Sequence, residues 1–313
     1  MTTMTQQAVA AEGTAVVTGA SSGIGAAFAR ALAREGYNLI LHGRREDLLR
    51  ELCVELREIH GIHAEYLVAD LGEGEGLRRL EERIRQTSTL ALLVNNAGFG
   101  TTEEFREADI EQQEAMIRVH VLASVRLAHA AIPAMLTRRQ GAIINVASVA
   151  GFMISPANVT YCATKAYLIN FSESLHLELR ASGIRVQALC PGFTTTDFHQ
   201  RLGYDMSDRI FRYFGTAESV VEDSLKALRR GKVICIPGVH YRLMVQAVRF
   251  IPRWLFYRLV AIFAGRNPVR NAAARKQSVI PSPFAPVTPP SSDRPAAPSS
   301  TSLPPASPRP DTR

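Results

Sequence analysis

Short apolar runs alternate along the chain with longer stretches in which apolar residues recur every three or four positions. The runs at 14–18, 38–42, 64–69, 90–95, 142–147, 185–189 and 233–236 have strand length, and several leave no polar face for solvent. Helical periodicity occupies 24–34, 45–60, 76–86, 111–136, 158–180 and 217–229 between them. Strands apolar on both faces, alternating with helices, predict a parallel sheet covered on both sides. Right-handed crossovers make such a sheet doubly wound, and ligands then bind outside the carboxyl ends of its strands.

Beyond the last run the pattern changes twice. Residues 241–263 are apolar but carry Arg242, Arg249, Arg253 and Arg258, with Trp254 and several phenylalanines among them. Pro252 predicts a break into two short helices, neither with the ~20 uninterrupted apolar residues that cross a bilayer. This composition suits a helix lying on an anionic membrane, a lid over an apolar substrate, or a subunit contact. The tail is different again: eleven of the 17 prolines fall between Pro281 and Pro310, among Ser, Thr and Ala. Such a stretch buries too little apolar surface to offset chain entropy and is expected to be disordered. The expected organisation is therefore a flexible N-terminus (1–12), an α/β domain (13–238), a basic-apolar helical extension (239–266) and a Pro/Ser/Ala-rich tail (267–313).

Charge is as uneven as hydropathy. The formal net charge is +7, yet between Ser224 and Lys276 there are twelve Lys or Arg and no Asp or Glu. Met1–Asp223 holds 21 basic against 27 acidic residues, so the excess belongs to one late segment. Its interleaving with large apolar residues, without a recognisable DNA- or RNA-binding motif, argues against a nucleic-acid partner. Cys53, Cys162, Cys190 and Cys235 are scattered and form no CxxC pair, so neither a metal site nor a disulfide framework is expected. The first residues lack the basic and apolar regions of a signal peptide, which favours a cytoplasmic protein.

Two stretches carry candidate chemistry. In Tyr161-Cys162-Ala163-Thr164-Lys165 a phenol and an ammonium share one helix face at i and i+4. A phenol titrates near ~10, and a fixed cation one turn away favours phenolate and draws it toward the working range of an acid–base group. Taken alone the pair is an ordinary helix-surface motif. Thirteen residues upstream, however, the run Ile143-Ile144-Asn145-Val146-Ala147 ends at Ser148, whose hydroxyl could hold a substrate oxygen. The second stretch is Thr18-Gly19-Ala20-Ser21-Ser22-Gly23-Ile24-Gly25, directly after the first strand and opening a helix. Glycines there let the backbone turn tightly and approach a pyrophosphate at the helix N-terminus.

Thr18–Gly25, Asn95-Asn96-Ala97-Gly98, Ser148, Tyr161-x-x-x-Lys165 and Pro191-Gly192 occur in the order and spacing of the short-chain dehydrogenase/reductase family, which the chain resembles from about Gly13 to Gly238. The resemblance implies a Rossmann-type sheet of seven strands in the order 3-2-1-4-5-6-7. It also implies hydride transfer between a nicotinamide and a carbonyl or alcohol. On that basis Tyr161 is the proton donor or acceptor and Ser148 polarises the substrate oxygen. Lys165 holds the nicotinamide ribose and lowers the phenol's pKa. The implied cofactor contacts are Gly19, Ser21, Ser22, Gly23, Ile24 and Gly25 at the turn, Asp70 and Leu71 along the adenine, and Asn96, Ala97 and Gly98. Tyr161, Lys165, Pro191, Gly192, Thr194 and Thr196 complete the set.

The chain departs from the family at one catalytic position. Where members carry an asparagine whose backbone carbonyl binds a water leading to the lysine, this chain has His120. The histidine could preserve that carbonyl, relay protons itself with a pKa near ~6.5, or simply pack as a neutral ring. At the end of the second strand, NAD-preferring members place a carboxylate against the ribose hydroxyls. Here Gly43 stands there, followed by Arg44, whose guanidinium can grip a 2′-phosphate, and by Arg45 at the helix start. NADP(H) is the expected cofactor. Val149, Gly151, Phe152 and Met153, with the segment 193–214 and its Phe193, Phe198, Leu202, Met206, Phe211 and Phe214, suit a hydrophobic carbonyl or alcohol substrate. A homo-oligomer is expected. Two function classes stay open: an NADP(H)-dependent carbonyl reductase, and a non-catalytic nucleotide-binding regulatory protein on the same fold, held at a membrane surface through 241–263.

Overall fold

A computed structural model describes residues 13–101, 103–156, 158–195 and 215–264. Seven strands form one parallel sheet: β1 (Thr14–Thr18), β2 (Asn38–Gly43), β3 (Ala64–Val68), β4 (Leu90–Asn95), β5 (Gly141–Val146), β6 (Ile184–Leu189) and β9 (Ile234–Cys235). Their spatial order is β3-β2-β1-β4-β5-β6-β9. This is the expected order, with the seventh predicted run at the final place. Two short strands, β7 (Thr194–Thr195) and β8 (Gly215–Thr216), pair with each other in a separate parallel ladder that the apolar pattern did not predict.

The helices are α1 (Gly23–Arg34), α2 (Glu46–His60), α3 (Gly74–Arg85), α4 (Ile110–Ile117), α5 (Ala123–Arg138), α6 (Val159–Leu179), α7 (Ala217–Arg229), α8 (Val239–Phe250) and α9 (Arg253–Ala264). One core cluster joins α1, α2 and α7 to one face of the sheet through Phe28, Leu32, Leu49, Leu56 and Val220. The other joins α3, α5 and α6 to the opposite face through Leu80, Ile84, Leu127, Met135 and Leu175. Neighbouring strand residues serve opposite clusters: Val17 and Ile144 face the first, Val16 and Ile143 the second. That is why these strands read as unbroken apolar runs. Cys53, Cys162, Cys190 and Cys235 are buried free thiols.

Two details depart from the sequence expectation. The helix expected over 111–136 is interrupted by a π turn at Arg118–Leu122, centred on His120, which separates α4 from α5. Such bulges arise where one extra residue must be fitted into a helix. The whole stretch Ile110–Arg138 is long and apolar enough to cross a membrane, but half of its most apolar window is buried inside the fold. The break at Pro252 falls as expected, between α8 and α9.

Candidate active site

The turn after β1 is fixed by backbone geometry. Gly19 has φ 65°, and a β-carbon on Gly25 would lie 2.2 Å from the Gly19 carbonyl oxygen, so the start of α1 lies directly on the turn. Ser22, at the N-cap of α1, makes no side-chain cap, and the helix offers its first-turn N–H groups to an anion. The loop after β4 is tied to the same turn. Thr18 Oγ1 accepts the N–H groups of Asn96 and Ala97 at 2.9 and 3.0 Å, while Asn96 Nδ2 donates to the Thr18 carbonyl at 2.8 Å. Sequence reasoning did not single out Thr18. Its signal is a hydroxyl closing a strand whose middle, Ala15-Val16-Val17, is apolar.

The catalytic candidates converge at the carboxyl end of β5. Ser148 is the N-cap of a 3₁₀ turn, Val149–Phe152, and its Oγ accepts the Ala150 N–H at 3.1 Å. Gly151 lets that turn rest on α6: a β-carbon there would meet the Lys165 carbonyl at 2.8 Å. The Val149 N–H reaches the Pro191 carbonyl at 3.0 Å, binding the loop after β6 to the same turn. Lys165 is buried, and its Nζ donates to the Val146 carbonyl at 2.8 Å while lying 5.6 Å from the centre of the Tyr161 ring. Burial pushes the Lys165 ammonium down from 10.5 to about 8. It pushes the Tyr161 phenol up to about 12, against the pull of a hydrogen bond with Ser148. Burial is the largest cause of that rise.

His120 is fully enclosed. Its Nε2 accepts the Phe99 N–H at 3.0 Å, which requires a bare lone pair on that nitrogen. Nδ1 lies 2.9 Å from Thr164 Oγ1, and the Thr164 hydroxyl donates in turn to the Tyr161 carbonyl at 2.9 Å. The bonds are consistent with a single neutral tautomer, protonated on Nδ1. Burial first, then the Lys165 charge, hold its pKa well below the ordinary histidine value. The His120 carbonyl accepts the Ser124 hydroxyl at 2.7 Å. The ring stands edge-on to Tyr161, with centroids 5.8 Å apart.

At the end of β2 the two arginines divide their work. Arg44 is exposed and reaches Asp70 Oδ2 at 3.3 Å, while Asp70 Oδ1 accepts the Gly72 N–H at 2.8 Å. Arg45, the N-cap of α2, turns back to the glycine turn and donates to Ser22 Oγ at 2.6 Å and Ser21 Oγ at 3.1 Å. The sequence places Arg45 only at the helix start and does not reveal this bridge. Leu71 is buried in the second core cluster, and Ile24 packs against the first. Thr194 is buried with Oγ1 donating to the Gly192 carbonyl at 3.1 Å. Thr196, Phe198, Leu202, Met206, Phe211 and Phe214 lie outside the described residues.

The helical extension also reaches the site. A β-carbon on Gly192 would lie 2.1 Å from the Tyr241 ring, and the Tyr241 hydroxyl accepts the Phe193 N–H at 3.0 Å. Farther along α8 the Arg249 guanidinium sits 5.6 Å from the centre of the Phe152 ring. One helix thus touches both segments expected to wall a substrate. Among the described residues no cluster of His, Cys, Asp or Glu could hold a metal ion.

Comparison with known proteins places this arrangement. The family model described as short chain dehydrogenase matches residues 13–207. An uncharacterised oxidoreductase of Staphylococcus saprophyticus is 36% identical over 183 residues, covering 58% of this chain and 78% of the relative. A very-long-chain 3-oxoacyl-CoA reductase of Anas platyrhynchos is 34% identical over 189 residues, covering 58% of this chain and 60% of the relative. A short-chain dehydrogenase of Sphingobium yanoikuyae, solved in complex with NADPH, superposes with a TM-score of 0.71 at 32% identity, covering 88% of this chain and 99% of that one.

Proposed function

Since the chain belongs to the short-chain dehydrogenase family and is an NAD(P)-dependent oxidoreductase, we propose that it uses NADP(H) to reduce the carbonyl of a hydrophobic small molecule. The observation that carries this reading is the convergence of Ser148, Tyr161 and Lys165 at the end of β5, with Tyr161 hydrogen-bonded to Ser148 and Lys165 beneath its ring.

The residues present fit a dinucleotide. The glycine turn with the uncapped start of α1 suits a pyrophosphate, Asp70 and the Asn96–Gly98 loop flank it, and Lys165 lies at the far end. Arg44 and Arg45 at the end of β2 favour a 2′-phosphate over a bare ribose, in keeping with the NADPH of the Sphingobium relative. The nicotinamide supplies the hydride when bound. The chain supplies the rest. The Ser148 hydroxyl donates to the carbonyl oxygen and orients it. Tyr161 gives its phenolic proton to that oxygen as charge develops there. Burial holds the phenol protonated at neutral pH, so it carries the proton that this step requires. The Lys165 cation stabilises the phenolate left behind. We assign His120 a positioning role: its neutral ring joins the Phe99 backbone to Thr164 on the helix of Tyr161.

Phe152, Phe193 and the inner face of α8 support an apolar substrate, as does the very-long-chain 3-oxoacyl-CoA named for the Anas relative. The test is NADPH oxidation across water-soluble and increasingly apolar ketones. Specificity, as kcat/KM, should rise with apolar bulk; a preference for small polar carbonyls would overturn the substrate assignment.

A further inference from the structure

Helix α8 has two faces of opposite use. Tyr241, Val245 and Val248 lie on the side turned toward the fold, and Val245 is fully buried. Val239, Leu243 and Phe250 fall on the opposite stripe, at i, i+4 and i+11, and are 62%, 66% and 83% exposed. Helix α9 adds Trp254, Tyr257 and Ile262 at 62%, 53% and 52%. Six large apolar side chains so exposed within 24 residues form a concentration that scattered surface residues do not.

Charge selects the occupant. Arg242, Arg253 and Arg258 are exposed beside these residues, in a segment with no Asp or Glu from Ser224 to Lys276. A second copy meeting the same face would set arginine against arginine with no carboxylate opposite. An anionic lipid surface accommodates both features: the aromatic and aliphatic side chains enter the acyl boundary and the guanidiniums pair with phosphates. We propose that α8 and α9 dock this protein on an anionic membrane surface. The chemistry of the proposed reduction is not needed for this docking.

Trp254 is the chain's single tryptophan, so tryptophan emission, excited where tyrosine does not absorb, reports on this surface alone. The full-length protein is titrated with phosphatidylcholine vesicles, with and without phosphatidylserine, and co-sedimentation is measured in parallel. The expected result is a blue shift and pelleting with the anionic vesicles, both reversed by high salt. Phe250→Gln should weaken binding and Arg258→Gln should weaken it about fivefold, while thermal unfolding and turnover of a water-soluble ketone remain as in the parent. Absence of binding, equal binding to neutral vesicles, or a lipid-independent shift that grows with protein concentration would overturn the proposal, the last in favour of a second copy.

Discussion

Tyr241 occupies the space that any side chain on Gly192 would need: an added β-carbon would lie 2.1 Å from its ring, and its hydroxyl accepts the next residue's N–H at 3.0 Å. The helical extension is thereby keyed to the loop that follows β6.

Gly192→Ala should therefore cost about 1–3 kcal/mol of stability, the usual range for overpacking, read from chemical denaturation. Tyr241→Phe keeps the ring and loses only the hydrogen bond, about 0.5–1.5 kcal/mol. Its effect should appear as a raised KM with little change in kcat. If Gly192→Ala leaves stability untouched, α8 does not rest on this loop.

Gly98 and His120 make a second pair of the same kind. A β-carbon on Gly98 would lie 2.8 Å from His120 Nε2. Gly98→Ala should destabilise the parent and cost less when His120 is replaced by Asn, so a double-mutant cycle should give a coupling of roughly 0.5–3 kcal/mol. Additive effects would mean that the ring yields freely.

The pH dependence of reduction follows from Lys165. Its pKa is lowered to about 8, so the cation is present below that value and lost above it, while the Tyr161 phenol stays protonated to about 12. The specificity constant for reduction should be level on the acid side and fall as pH rises through 8. His120 is neutral throughout, so no step belongs near ~6.5. A step there that disappears in His120→Asn would restore the ring to the proton relay.

Cofactor preference rests on Arg44 and Arg45. Alanine at either should weaken NADPH binding by about 1.5–3 kcal/mol, as for a charge-assisted hydrogen bond, and leave NADH nearly unchanged. The two are separable by calorimetry. Equal losses for both cofactors would make the arginines supports of the turn.

How far these features were legible follows from their range. The parallel, doubly covered sheet could be read because strands such as β1, β4 and β5 are buried on both faces, its strand order came from the family resemblance, and local spacing put Tyr161 and Lys165 on one helix. The π turn at His120 could not, because it carries no distinct hydrophobic period. Arg45 was passed over because its partners, Ser21 and Ser22, are more than twenty residues away in sequence. The keying of Tyr241 to Gly192 spans still more chain. Spacing reveals the cation beside Tyr161, whereas the burial that raises the phenol's pKa depends on tertiary packing.

The central claim, that Tyr161 delivers the proton while the cofactor is held elsewhere, is tested most directly by Tyr161→Phe. NADPH oxidation by the best ketone and NADPH affinity are measured on the same preparation. The account predicts a fall in kcat of roughly 10²-fold or more with NADPH binding close to that of the parent. Retention of more than about a tenth of kcat would contradict it.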